Sequence, residues 1–332
     1  MASAPIAAPP TPSRAQRELE AIFAAELAGE VLPGARRMAE AIRAEHGAPV
    51  VALLFYGSCL RRGTSEGVLD FYAIVDGYRA VYRSPVPALL GALLPPNVHY
   101  LELTGENLRA KYALISLADF ARSATPARLD CRIWSRFCQP ARLVWVRDAA
   151  ARAALVSACA GAASTLATRL LAWLPGDARE RTFSTRDAWA LAFRETYGAE
   201  LRSEQPASID AIAAADPGRY QRVLAGAFAV LAERGECELL GASGDELRIA
   251  LDRAALGRAR RAWRLRRPLT KLLAVCGLLK TPVTFHGWLP YALWKLERHS
   301  GRKIALSERQ RRRPLVYAWP VIYRLLREGV LR

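Results

Sequence analysis

The sequence predicts an α+β fold: a mixed sheet with flanking helices over residues 16–148, a helical domain over 149–250, and a basic helical segment over 251–332. Three observations predict it. Between residues 49 and 146, apolar runs of strand length alternate with short polar turns. After Asp148 the chain becomes Ala- and Leu-rich, with apolar residues at helical spacing and hardly a strand signal. Residues 251–332 hold 20 Lys and Arg against 4 Asp and Glu, whereas residues 1–250 hold 28 against 27, so nearly all of the formal net charge of +17 sits in the last quarter.

The first 15 residues, rich in Ala and Pro, read as a disordered tail; they lack the basic start and continuous apolar stretch of a secretory signal. Leu19, Ile22, Phe23 and Leu27, then Met38 and Ile42, mark one or two helices ending near His46-Gly47. PVVALLFYGS is a buried-strand pattern that stops at Gly57-Ser58, and the polar turn RRGTSEG leads to a second apolar strand, VLDFYAIVD. A short helix is expected over 87–93, then the alternating strand NVHYLEL, the strand KYALI, the helical SLADFARSA and the strand ARLVWV. Beyond Asp148, helices are expected over 149–174, 185–204, 208–213 and 218–234, broken at PGD, EQPAS and DPG.

Composition narrows the function classes. With 52% hydrophobic residues the chain can fill a sizeable core, which excludes a disordered protein. The six cysteines stand singly, without zinc-finger spacing, and fit small core residues in a reducing compartment. His286 and His299 have no metal-spaced partner and read as packing or surface residues, as Glu200, Arg202 and Glu204 read as a mixed-charge helix face. LLAVCGLL and LVYAWPVIY fall far short of the roughly 20 residues that span a bilayer, so membrane contact through them is peripheral. A basic region of +16 calls for a polyanionic partner.

The chemistry is expected around Tyr56, Gly57, Ser58 and Asp70. A glycine at the end of a strand lets the backbone approach a triphosphate, and the following Ser and backbone N–H groups can bind phosphate oxygens. Asp70 stands in an otherwise apolar strand, where a carboxylate is costly unless a cation or strong donors meet it. Strand alternation puts Asp70, Tyr72, Ile74 and Asp76 on one face. Glu66 in the loop, or Glu102 in NVHYLEL, would complete a metal site if the fold brings them near.

A Gly-Ser turn followed by an acidic residue on an apolar strand resembles the polymerase-β-type nucleotidyltransferases, which implies carboxylate-held Mg2+ ions. The pattern departs from Asp-x-Asp, leaving one secure carboxylate. A narrower resemblance is to the mitochondrial-type phosphatidate cytidylyltransferases, the translocator assembly and maintenance family, and their bacterial relatives. It rests on Tyr56-Gly57-Ser58, Leu69-Asp70-Phe71, Lys111-Tyr112-Ala113 and Ser135-Arg136-Phe137-Cys138-Gln139-Pro140, in order over about 50–145. Ala113 stands where that family has Gly, and Ser135 and Gln139 where it has Gly and Lys. The resemblance implies CTP and phosphatidic acid as substrates and CDP-diacylglycerol as product. It assigns nucleotide contacts to Tyr56, Gly57, Ser58, Lys111, Tyr112 and Arg136, and catalysis to Asp70 and Lys111.

In the basic end, Arg309, Arg311, Arg312 and Arg313 adjoin an apolar stretch containing Trp319 and Tyr323, a combination suited to an anionic membrane surface. Residues 262–288 form a second such candidate. The expectation is a peripheral enzyme on the cytoplasmic face of the inner membrane, with no nucleic acid partner. The alternatives are a nucleotidyltransferase acting on RNA or another soluble acceptor, its basic end holding phosphodiesters, and an inactive scaffold of the same fold.

Overall fold

The computed structural model describes residues 12–176, 178–199, 212, 214–284 and 306–312. Helices α1 (Arg14–Leu27) and α2 (Pro33–His46) precede strand β1 (Val50–Tyr56). Ser13 caps α1 by accepting from Gln16 N, and Pro33 opens α2, so each helix starts on the residue type that suits its position. Then come α3 (Ser58–Arg62), β2 (Val68–Val75), α4 (Tyr78–Val81), α5 (Pro85–Leu93), β3 (Asn97–Leu103), β4 (Leu108–Ser116), α6 (Leu117–Ser123), α7 (Trp134–Phe137) and β5 (Ala141–Val146). The five strands form one mixed sheet in the order β3-β4-β2-β1-β5, with β2 and β4 parallel and the other neighbours antiparallel.

Helices cover both faces of this sheet, which is why β1 and β2 are nearly continuous apolar runs. Ala52, Leu54, Tyr72, Ile74, Ala113 and Ile115 face a large core shared with α1, α6 and α7. Leu53, Phe55, Leu69, Phe71, Ala110 and Tyr112 face a smaller core under α2. The expected α+β class, with a mixed sheet, flanking helices and helices beyond it, is the observed architecture.

The second half contains α8 (Ala149–Trp173), α9 (Thr185–Ala199), α10 (Pro217–Glu233) and α11 (Arg253–Thr284), with a short α12 (Glu308–Arg312). Helix α8 is apolar and long enough to cross a bilayer, but 72% of its most apolar window is buried against the rest of the chain. The large core runs from Ala15 to Trp263 and draws on both sides of residue 148, so the expected boundary divides the chain but not the core. The reading of 149–250 as a helical domain with hardly a strand is corrected: β6 (Glu180–Ser184), β7 (Glu238–Ser243) and β8 (Glu246–Ala250) form a second, antiparallel sheet in the order β6-β8-β7. Its β7-β8 hairpin turns at Gly244, whose φ of 54° is one that glycine adopts without strain.

Helix α11 packs against α5, β3, α8 and α9. Near its end Lys280 is buried and donates to Asn97 Oδ1 at 2.9 Å, Leu90 O at 3.4 Å and Leu94 O. Its ammonium thus meets the last carbonyls of α5, where a cation complements the helix dipole. Burial, aided by Arg132, pulls the Lys280 pKa down to about 7.

Candidate functional site

Strand registers build the site. Tyr56 on β1 stands opposite Asp70 on β2, Asp70 opposite Lys111 on β4, and Lys111 opposite Tyr100 on β3. Partners directly opposite in a sheet share a face, so Tyr100, Lys111, Asp70 and Tyr56 form one row across four strands. The row lies on the face of Tyr72 and the large core, at the end where the apolar filling gives way to half-buried residues.

Beyond Tyr56 the chain turns at Gly57, with φ 90° and ψ −160°, and enters α3 at Ser58. A side chain at Gly57 would meet Asp70: its Cβ would lie 2.7 Å from Oδ2 and 3.2 Å from the Asp70 Cβ. Glycine is thus required twice, for the backbone conformation and for the approach of the carboxylate to the main chain. Ser58 is exposed beside it, and its carbonyl accepts from Arg62 Nε at 3.3 Å. Cys59 is buried behind the turn, its thiol pKa raised chiefly by burial and partly offset by Arg62.

Arg136 stands on α7, where its guanidinium donates to Arg132 O. The adjoining Phe137 packs on Tyr72 at 4.9 Å and on Tyr56 at 5.7 Å between ring centroids, which sets α7 against the row. Two residues the sequence reading did not assign also belong here. Arg61, one turn into α3, donates from Nη1 to Gln139 Oε1 at 3.5 Å, beside the start of β5, where Ala141 stands opposite Tyr56. Its signal was its position three residues after Ser58, which matters only if the polar turn is helical. Tyr100 joins through the β3-β4 register, which the sequence does not display.

Other expected site residues are placed elsewhere. Tyr112 is corrected: next to Lys111 in sequence, it points to the opposite face, where it is buried under α2. Its hydroxyl donates to Glu45 Oε2 at 3.1 Å and lies 2.9 Å from His46 Nε2, and its ring stacks on His99. Burial first, then Glu45, pushes its pKa up. The Tyr112→Phe protein is therefore expected to keep any activity of the row within about twofold while losing about 1 kcal/mol of stability, the usual worth of a hydrogen bond. Urea unfolding and an initial-rate assay check the two halves.

Glu102 shares the face of Asp70 but sits two strands away, opposite Arg109, to which it is paired at 3.0 Å. It also accepts from Tyr100 at 3.4 Å, and Glu66 is exposed in the loop before β2. The expectation that Glu66 or Glu102 completes a metal site at Asp70 finds no such group to support it: among the described residues no three His, Cys, Asp or Glu side chains gather as a metal site. A two-ion centre built on several protein carboxylates does not fit this row. One hard cation held by Asp70 and completed by phosphate oxygens fits it, because Mg2+ commonly takes one or two carboxylates and keeps substrate phosphates and water as its other ligands.

Arg313, Trp319 and Tyr323, like Glu200, Arg202, Glu204, His286 and His299, lie outside the described residues. The backbone of Arg311 and Arg312 belongs to α12, and their side chains are outside the described set. A cavity of about 850 Å³ lined by Arg179, Cys237 and Asp252 borders the second sheet and includes none of the row. No protein-family model matches the chain, and no curated protein matches it.

Proposed function

We propose that this chain is a metal-dependent nucleotidyltransferase that transfers CMP from CTP to phosphatidic acid, releasing pyrophosphate and forming CDP-diacylglycerol. The observation that carries the transferase reading is the row of Tyr56, Asp70 and Lys111 ending at the Gly57-Ser58 turn, where a carboxylate and an ammonium-bearing side chain lie side by side next to exposed main chain. The choice of CTP and phosphatidic acid rests on the family resemblance of the four motifs.

In this reading the Gly57-Ser58 turn receives phosphate oxygens of the nucleotide, and Lys111, Arg136 and Arg61 supply cations around them. Asp70 would hold a magnesium ion, which when bound would supply Lewis-acid charge neutralisation at phosphoryl oxygens. A phosphate oxygen of the lipid attacks the α-phosphorus, a new P–O bond forms, and the bond to the bridging oxygen breaks as pyrophosphate departs with the electron pair. A phosphomonoester is largely ionised near neutral pH, so no side chain has to act as a general base. Catalysis rests on positioning and on charges fixed in advance.

The basic end supports an anionic membrane surface as the place where the acceptor is met. Each Lys or Arg near such a leaflet contributes about 1 kcal/mol. Incubating the full chain with magnesium, CTP and phosphatidate vesicles is expected to yield CDP-diacylglycerol and pyrophosphate in equal amounts, and the Asp70→Ala protein is expected to yield neither. Absence of product from wild type, or undiminished product from the variant, overturns the assignment. The scaffold reading is favoured by the single carboxylate of the row, and it predicts no pyrophosphate with any nucleoside triphosphate.

A further inference from the structure

Two helices far apart in sequence leave apolar faces uncovered. On α5, Val86, Leu89 and Leu93 follow one another at spacings of three and four and are 53%, 60% and 64% exposed. On α11, Leu265, Leu269 and Leu272 repeat the pattern and are 71%, 44% and 58% exposed. Such spacing places each trio on one side of its helix. The two helices touch, and the buried Lys280 of α11 ties them by binding the end of α5 and the first residue of β3. Scattered exposed leucines are ordinary, but such stripes on two helices packed against one another call for a partner.

Charge selects the partner. Helix α11 carries nine Lys and Arg and no Asp or Glu over its 32 residues, and α5 is uncharged throughout. Arg261, Arg264 and Lys271 are exposed on the flank of the leucine stripe. Apolar side chains bordered by cations, with no acidic residue on either helix, match the boundary between acyl chains and anionic headgroups. A second protein copy bearing this same surface would set cation against cation. We propose that the paired faces of α5 and α11 form the membrane-docking surface of this protein, seating both helices in an anionic leaflet. Because α5 and α11 pack on β3, the sheet edge next to Lys111, docking turns that edge of the candidate site toward the lipid. The orientation rests on the transferase reading above; the docking itself does not.

The test is flotation of the full chain with vesicles of phosphatidylcholine alone or with about a third phosphatidylglycerol, an anionic lipid that is not the proposed substrate. Wild type is expected to bind the anionic vesicles at least about tenfold better than the neutral ones. Leu89→Asp with Leu93→Asp, and separately Leu265→Asp with Leu272→Asp, are expected to weaken binding about a hundredfold, roughly tenfold for each leucine kept in water. Leu89→Gln with Leu93→Gln serves if the aspartates alter thermal unfolding. Binding that the α5 pair leaves unchanged overturns the proposal. So does a chain that is dimeric in sedimentation equilibrium and becomes monomeric with the α5 pair while vesicle binding persists. Turnover of phosphatidate in detergent micelles is expected to survive both pairs, so failed docking and failed chemistry are read separately.

Discussion

If the chain is the transferase proposed, its Gly57→Ala protein is expected to lose nucleotidyl transfer about a hundred- to a thousandfold, the range seen when a preorganised electrostatic contact is removed from an active site. Two causes act at one position. The backbone at φ 90° and ψ −160° lies in a region reserved almost wholly for glycine, and forcing alanine into it costs on the order of 1–3 kcal/mol. The new methyl also cannot coexist with the Asp70 carboxylate, whose Oδ2 would lie 2.7 Å from it. The carboxylate must turn away from the main chain, or the turn must open, and either change separates the anion from the backbone proposed to receive phosphate. Gly63→Ala is the control: its φ of 64° brings backbone strain, but nothing lies within 4 Å of the added atom. That protein is expected to lose about 1 kcal/mol and keep its activity. Pyrophosphate release and urea midpoints for both variants decide the matter, since equal loss of activity in the two would assign the effect to strain alone.

Why the Gly57 and Asp70 pair was legible follows from the sheet. Strands β1 and β2 are covered on both faces, so their sequences are almost unbroken apolar runs, and a lone carboxylate in such a run stands out. Its neighbours in space were less legible. Lys111 meets Asp70 through a parallel register that is set after a connection holding α4, α5 and β3, and no local pattern encodes that register. Tyr112 was assigned through the Lys111-Tyr112-Ala113 motif of the resemblance, yet adjacency on a strand means opposite faces. Glu102 was drawn away by the β3-β4 pairing, which puts Arg109 across from it.

The second sheet escaped for a different reason. Its strands are five or six residues long and rich in charged residues, with alternation visible only in Leu247 and Ile249 of β8. So short a pattern is swamped by the helical periodicity on either side. The charge segregation of the last quarter was plain, but the part of α5 in the same surface was not. PVPALLGAL reads as an ordinary core helix until α11 is found beside it with its own leucines uncovered.

The largest stability loss is expected at Arg219. Its guanidinium, 5% exposed, donates from Nε to Glu26 Oε2 at 2.6 Å, from Nη2 to Oε1 at 3.1 Å, and from Nη1 to Cys138 O at 2.7 Å. Glu26 in turn accepts from Ala141 N at 3.3 Å. The pair therefore ties α1 and α10 to the turn that starts β5, next to the residues supporting Phe137 and Arg136. Burial alone lowers the Arg219 pKa, but Glu26 more than offsets it and the net direction is up, so the guanidinium stays charged. Arg219→Met leaves a buried carboxylate without its counter-ion and is expected to cost about 3–5 kcal/mol in urea unfolding. Adding Glu26→Leu removes the stranded charge and is expected to restore much of that loss, because a buried ion pair replaced by apolar side chains is often close to neutral. The order of the three unfolding midpoints carries the argument: a double variant no more stable than Arg219→Met would mean that the arginine acts through Cys138 O and ring packing rather than through Glu26. Activity separates the structural role from a chemical one. If the pair only holds the β5 turn, the double variant regains transfer in step with its stability; if Arg219 touched substrate, activity would stay lost after the fold had recovered.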